Sequence, residues 1–198
     1  FGTLAADFDL DGDEDIVVSN GHVDQFPENG PCAQEPLVLV NDGKGKLARK
    51  VFEKSNYFGK SWRGRGAIHF DFDSDGDLDL AFSHVNQPSA VLENKSETTG
   101  HWFMLELIGT KSNRDAIGAK VIFQTNKRNL LRNVVGGGSY LSQSPYRIHV
   151  GLPASEKLNS VEVRWPSGVV QNFELPEEDK MYQLIENDAS VYVNNSSL

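Results

Sequence analysis

Apolar residues in this chain do not recur at helical spacing. They come in short runs, often alternating with polar residues, and the runs are cut by Gly, Asn, Asp and Pro. That is the pattern of an all-β protein. It predicts strands at 3–7, 15–19, 37–41, 67–71, 79–83 and 89–93. A second series is predicted at 102–108, 118–125, 129–135, 146–151, 159–165, 169–175 and 181–186. Turns are marked by NDGKGK at 41–46, VGGGS at 135–139 and WPSG at 165–168.

The first half repeats itself. GTLAADFDLDGDEDIVVSN at 2–20 aligns with GAIHFDFDSDGDLDLAFSH at 66–84, an offset of 64. Further on, VLVND at 38–42 resembles VLENK at 91–95, an offset of 53, because the first copy has a longer linker. Each unit reads as strand, acidic loop, strand, connection and strand, which suits a propeller blade. Propellers need roughly four to eight blades. Either the remaining blades are expected N-terminal to Phe1 in a longer parent chain, or these two units pack as an open fragment. The repeat stops near the polar stretch NKSETTG at 94–100. The expected domains are 1–98, propeller blades with two acidic loops, and 99–198, a small β-sandwich-like domain.

The chemistry lies in DFDLDGDED at 7–15 and DFDSDGDLD at 71–79. Each places carboxylates at alternate positions around one Gly. Side-chain oxygens fall at loop positions 1, 3, 5 and 9, and position 7 can offer a backbone carbonyl. Gly at position 6 permits the bend that folds them onto one centre. Calcium takes six to eight oxygens at roughly 2.3–2.6 Å, so this set nearly fills its shell, while magnesium prefers a rigid octahedron that keeps waters. Zinc would want His or Cys. Without a cation, converging carboxylates repel and their pKa values rise. An EF-hand would place Glu at position 12; here that position is Val18 or Phe82, inside apolar runs. The expected metal residues are Asp7, Asp9, Asp11, Asp13 and Asp15, and Asp71, Asp73, Asp75, Asp77 and Asp79. The expected cofactor is calcium, at two sites.

Charge sharpens this picture. The net charge is −9, but the two loops carry eleven of the 28 acids and no base, leaving 17 acids against 19 bases elsewhere. Nucleic acid is not expected as a partner, since it wants a basic stripe. No apolar run reaches membrane-spanning length, so membrane insertion is not expected either. With Cys32 alone, no disulfide forms within the chain and no zinc pattern exists.

Other motifs read as structure. Gly136-Gly137-Gly138-Ser139 is followed by neither a Lys nor a helical pattern and reads as a tight turn rather than a phosphate loop. Gly59-Lys60-Ser61 has Lys54 where a Walker A motif needs its first Gly. No G-x-S-x-G elbow surrounds Ser139, Ser142 or Ser144. His149 alternates within a predicted strand and reads as a structural histidine. Nothing in the sequence brings His22, His69, His84 and His101 together. Asn113-Arg114-Asp115 reads as a hydrogen-bonded turn before Gly118, and Trp165 as core. Asn94-Lys95-Ser96, Asn194-Asn195-Ser196 and Asn195-Ser196-Ser197 fit the glycosylation pattern, which matters only in a eukaryotic secreted host.

The acidic units resemble FG-GAP/VCBS-type β-propeller repeats, with Asn20-Gly21-His22 and LVLVNDGKGK as companion elements. KSNRDAIGAKV (111–121), GGGSYLSQSP (136–145), RIHVGL (147–152) and VEVRWPSG (161–168), four blocks in order, resemble the ASPIC/UnbV domain. The arrangement is similar to the C-terminal region of the cartilage acidic protein family. A Cys-rich module follows in that animal protein, and a chain with one Cys favours a bacterial relative. The resemblance implies the C-terminal blades of a calcium-binding propeller plus a small β domain. It also implies a secreted, periplasmic or cell-surface setting and a repeat-built, metal-binding adhesion role. Calcium would be structural, and the partner a protein or carbohydrate ligand at a cell surface. The alternative is part of a carbohydrate-active lyase or dehydratase. That enzyme would need a general base in a pocket, and no catalytic residue is nominated.

Overall fold

The computed structural model describes residues 1–194 apart from Gln25, Asn29 and Glu97. Two of the glycosylation patterns, those at Asn194 and Asn195, run into residues outside this range. The described residues form an almost entirely β structure of four sheets.

The first sheet takes β1 (Thr3–Ala6), β2 (Asp15–Val18), β3 (Leu37–Asn41) and β4 (Leu47–Arg49) in chain order, all antiparallel. The second takes β5 (Gly64–Phe70), β6 (Asp79–His84) and β7 (Ala90–Leu92) in the same way. Both are meanders of the kind that builds propeller blades. In each, the acidic loop joins the first two strands. The blades pack face to face through Leu4 and Val17 of the first and Ala67, Leu80 and Phe82 of the second. Gly2 lies where β1 meets β5, and its N–H donates to Arg65 O at 2.6 Å.

The remaining sheets make a sandwich. One orders β10 (Asn129–Asn133), β9 (Lys120–Thr125), β12 (Leu158–Arg164) and β13 (Val170–Phe173). The other orders β11 (Ile148–Leu152), β8 (His101–Ile108), β14 (Lys180–Ile185) and β15 (Val191–Val193), with β8 and β14 parallel. Strand alternation sends Phe103, Leu105 and Leu107 inward against Val121, Phe123, Val161 and Val163, with Tyr182 and Trp165 in the same core. The opposite face of the β8 sheet is also covered. Met104 and Met181 pack on Ala6 and Leu78 of the blades. That is why all five residues of β11 are buried: Ile148, Val150 and Leu152 face the sandwich core, and His149 and Gly151 face the acidic loops.

Every predicted strand is present, with ends shifted by a few residues. Two strands were not anticipated, β4 and β15, each three residues long at a sheet edge. All of β4 is exposed, so no alternation marks it. The triglycine is a correction too. It sits in a 14-residue crossover from β10 in one sheet to β11 in the other, not in a tight turn. Asn113 does make a turn: its carbonyl accepts from Ala116 N–H, and its side chain exchanges hydrogen bonds with Ile117.

Candidate metal centre

The two loops share a backbone signature. Leu10 and Ser74, at position 4, have φ of 57° and 63°; Gly12 and Gly76, at position 6, have φ of 90° and 93°. Left-handed residues at both positions curl each loop tightly enough to turn alternate side chains inward. A non-Gly residue in this region is uncommon, so its repetition in two copies marks one built conformation.

In the first loop, carboxylate oxygens of Asp7, Asp9 and Asp11 lie within 4.8 Å of one another; in the second, those of Asp71, Asp73 and Asp79 do. Together the two groups sample positions 1, 3, 5 and 9. Asp15, Asp75 and Asp77 fall outside these three-oxygen groups. Asp13 also falls outside them, and its Oδ1 accepts from Arg128 Nη1 at 2.8 Å. The sixth acid, Glu14, is exposed and pairs with Arg132 at 3.4 Å.

Second partners fix the carboxylates. Asp7 Oδ2 accepts from Gly12 and Gly151 N–H, both at 2.9 Å. Asp79 accepts Phe72 N–H and Asn94 N–H, each at 2.7 Å, on its two oxygens. Asp15 accepts Asn41 N–H at 2.8 Å. Asn41 and Asn94 are the same position of the repeat, and each also donates its side-chain amide to the carbonyl at loop position 8, Glu14 or Leu78. These asparagines were not anticipated as site residues. The signal was present in VLVND and VLENK, whose offset of 53 aligns them.

The electrostatics ask for a cation. Burial pushes the Asp7 carboxyl up to about 7, against the pull of its two N–H donors. Burial likewise lifts Asp15 to about 6 and, aided by neighbouring carboxylates, Asp77 to about 6. Asp11, Asp71 and Asp79 are also raised, chiefly by burial. Asp9 Oδ1 and Asp71 Oδ1 are buried without a hydrogen-bond partner among the described residues. Buried oxygens left unpaired are costly. A hard divalent ion would satisfy them, and an all-oxygen donor set suits calcium.

A cleft of about 450 Å³ runs between blades and sandwich, lined in part by Asp7, His69, Arg132, Tyr146, Arg147 and His149. His149 is structural, bonding Gly76 O through Nε2 at 2.9 Å. Burial pushes the His69 imidazole down to about 4, which keeps it neutral at neutral pH. The other histidines lie elsewhere: His84 is stacked on Trp62, and His101 is paired with Asp179. Among the described residues, no helix is long and apolar enough to cross a membrane.

A family model described as ASPIC and UnbV matches residues 109–191. Cartilage acidic protein 1 of Xenopus tropicalis is 33% identical over 174 residues, 84% of this chain and 25% of that protein. The Mus musculus and Homo sapiens proteins of the same name are each 30% identical over 169 residues, 83% of this chain. The chain thus spans about a quarter of the length of these curated relatives. Blade-like sheets thus run into a sandwich whose residues 109–191 match the ASPIC and UnbV family, and the chain is homologous to cartilage acidic protein 1 over most of its length.

Proposed function

We propose that this chain is a calcium-stabilised extracytoplasmic binding module, built from two FG-GAP/VCBS-type blades (1–98) and the ASPIC/UnbV sandwich (99–198). One observation carries the calcium reading. Two loops repeat the same left-handed residues and the same converging carboxylates, and each holds a buried oxygen without a partner. Asp7, Asp9, Asp11 and Asp15 would hold one ion, with the Asp13 carbonyl. Asp71, Asp73, Asp75 and Asp79 would hold the other, with the carbonyl of Asp77. The ions supply charge neutralisation, and their binding energy becomes folding energy. The structural role is supported by burial: Asp7, Asp15 and Asp79 are at most 3% exposed, and the first loop is roofed by the sandwich. Extracellular calcium near millimolar suits even weak sites, with dissociation constants of roughly 0.1–1 mM.

The ligand, a protein or glycan, is assigned to the cleft between blades and sandwich, where Arg147 has no hydrogen bond or ion pair among the described residues. A panel of immobilised glycans and matrix proteins, probed with the calcium-loaded chain, tests this. Binding that Arg147→Ala weakens supports the reading, and binding insensitive to that change moves the ligand off this cleft. A second reading, the carbohydrate-active enzyme, draws on His69 and Tyr146 lining the same cleft. Glycan turnover abolished by His69→Ala would establish it in place of the first.

A further inference from the structure

The two loops match in sequence and backbone, yet the sandwich grips them differently. At Gly76 the carbonyl accepts a neutral ring nitrogen, His149 Nε2 at 2.9 Å, and Trp102 packs against the glycine. At the equivalent Gly12 the carbonyl accepts a guanidinium, Arg132 Nη2 at 3.1 Å. A second guanidinium sits beside it. Arg128 gives Nη1 to the Asp13 carboxylate and Nη2 to Asp11 O, both at 2.8 Å. Arg128 is itself held from behind: its Nε meets Glu156 at 3.3 Å, and Glu156, 4% exposed, also accepts the Thr125 hydroxyl at 2.6 Å. A Cβ at Gly12 would come up against Arg128 Nη2, so the guanidinium lies directly against the loop backbone.

We infer that Arg128 and Arg132 are positioning residues of the first loop, making calcium binding there and docking of the sandwich one coupled event. This rests on the calcium reading above. Asp11 faces the loop centre with its carboxylate while its carbonyl is taken by Arg128. Asp7 accepts from Gly151 N–H of β11 on Oδ2 and from Asp11 N–H on Oδ1, the latter at 3.2 Å. The same short backbone must therefore suit the ion and the sandwich together. A planar fork holds two acceptors at fixed spacing, which an ammonium cannot do. Coupling is reciprocal: if docking of the fork raises the loop's affinity for the ion, the ion favours docking by the same factor. Among the described residues the sandwich reaches the second loop through His149 and the Trp102 indole, and this loop is coupled less.

Electrostatics alone argue the opposite sign. Two cations beside a calcium site oppose the ion, so deleting them would tighten binding. The test therefore keeps the charge. Arg128→Lys with Arg132→Lys is made in an Asp73→Asn background, where only the first loop binds, and in an Asp9→Asn background, where only the second does. Calcium is titrated by calorimetry. The expected result is about tenfold weaker binding in the first background, within the roughly 5–150-fold range of such couplings, and no change in the second. Exchange of the Gly151 amide gives an independent readout: slow with calcium in Asp73→Asn, fast in Asp9→Asn. If the double variant does not fold, Arg132→Lys alone should show the same sign. Equal effects in both backgrounds, or unchanged or tighter binding in the first, overturn the inference. Absence of calcium binding in the unaltered chain would instead remove the reading beneath it.

Discussion

Glu186 offers a sharp test of how the sandwich is held. It is 2% exposed, and its Oε2 accepts the N–H groups of Thr110, Lys111 and Ser112 at 2.8, 2.7 and 2.7 Å. Its Oε1 accepts the hydroxyls of Ser112, at 3.0 Å, and Ser167. The carboxylate thus ties the start of KSNRDAIG and the WPSG turn to the end of β14. Burial works against the charge, but the donors, led by Ser112, outweigh it and hold the pKa at about 2 against an ordinary 4.5. That difference corresponds to at most about 3 kcal/mol, less what solvent screening removes. The folded pKa is depressed, so the contribution is full above about 4.5 and is lost as pH falls towards 2. Glu186→Gln can turn its amide oxygen to the three N–H groups and its NH2 to the hydroxyls, losing mainly the charge assistance. It should cost about 2–3 kcal/mol at neutral pH, or roughly 4–12 °C in Tm for a chain of this size. Urea unfolding of both proteins from pH 7 to 2 is the assay. The gap between them should shrink between pH 4.5 and 2. A gap that stays constant over that range refutes the reasoning.

Asn94→Ala should destabilise by about 1–3 kcal/mol and by more than Asn41→Ala in thermal melts, because the Asn94 amide also bonds Phe8 O of the first loop at 2.9 Å. Gly151→Ala should cost about 1–3 kcal/mol or more, since its Cβ would meet Asp7 Oδ2 at 2.6 Å and strike Leu10; a melt like that of the unaltered chain would contradict the packing. Calcium affinity should strengthen as pH rises from about 5 to above 7, with proton release measurable by calorimetry in two buffers. The sign follows from the raised pKa values: rising pH deprotonates Asp7 and Asp15, destabilises the metal-free fold and favours the ion.

Much of this architecture was legible because two signals are strong in sequence. Alternation marked the strands whose two faces differ, as in β9, where Val121 and Phe123 point inward. Repetition marked the loops and, through VLVND and VLENK, held the unused clue to Asn41 and Asn94. What stayed hidden depends on contacts far apart in the chain. Arg128 reaches Asp13 across 115 residues and Gly151 reaches Asp7 across 144, and no local pattern encodes such pairings. Glu186 carries no local mark of its role, because its backbone donors lie 74 to 76 residues away. The exposed edge strand β4 failed for a simpler reason: with no buried face it has no period to read.

If each acidic loop holds one calcium ion that stabilises the fold, binding and stability must move together. The most direct measurement is a calcium titration of the metal-stripped chain beside Asp9→Asn and Asp73→Asn, with melts in calcium and in EDTA. The unaltered chain should bind two ions and each variant one, and the melting temperature should fall in EDTA. No bound calcium together with an unchanged melt in EDTA would contradict it.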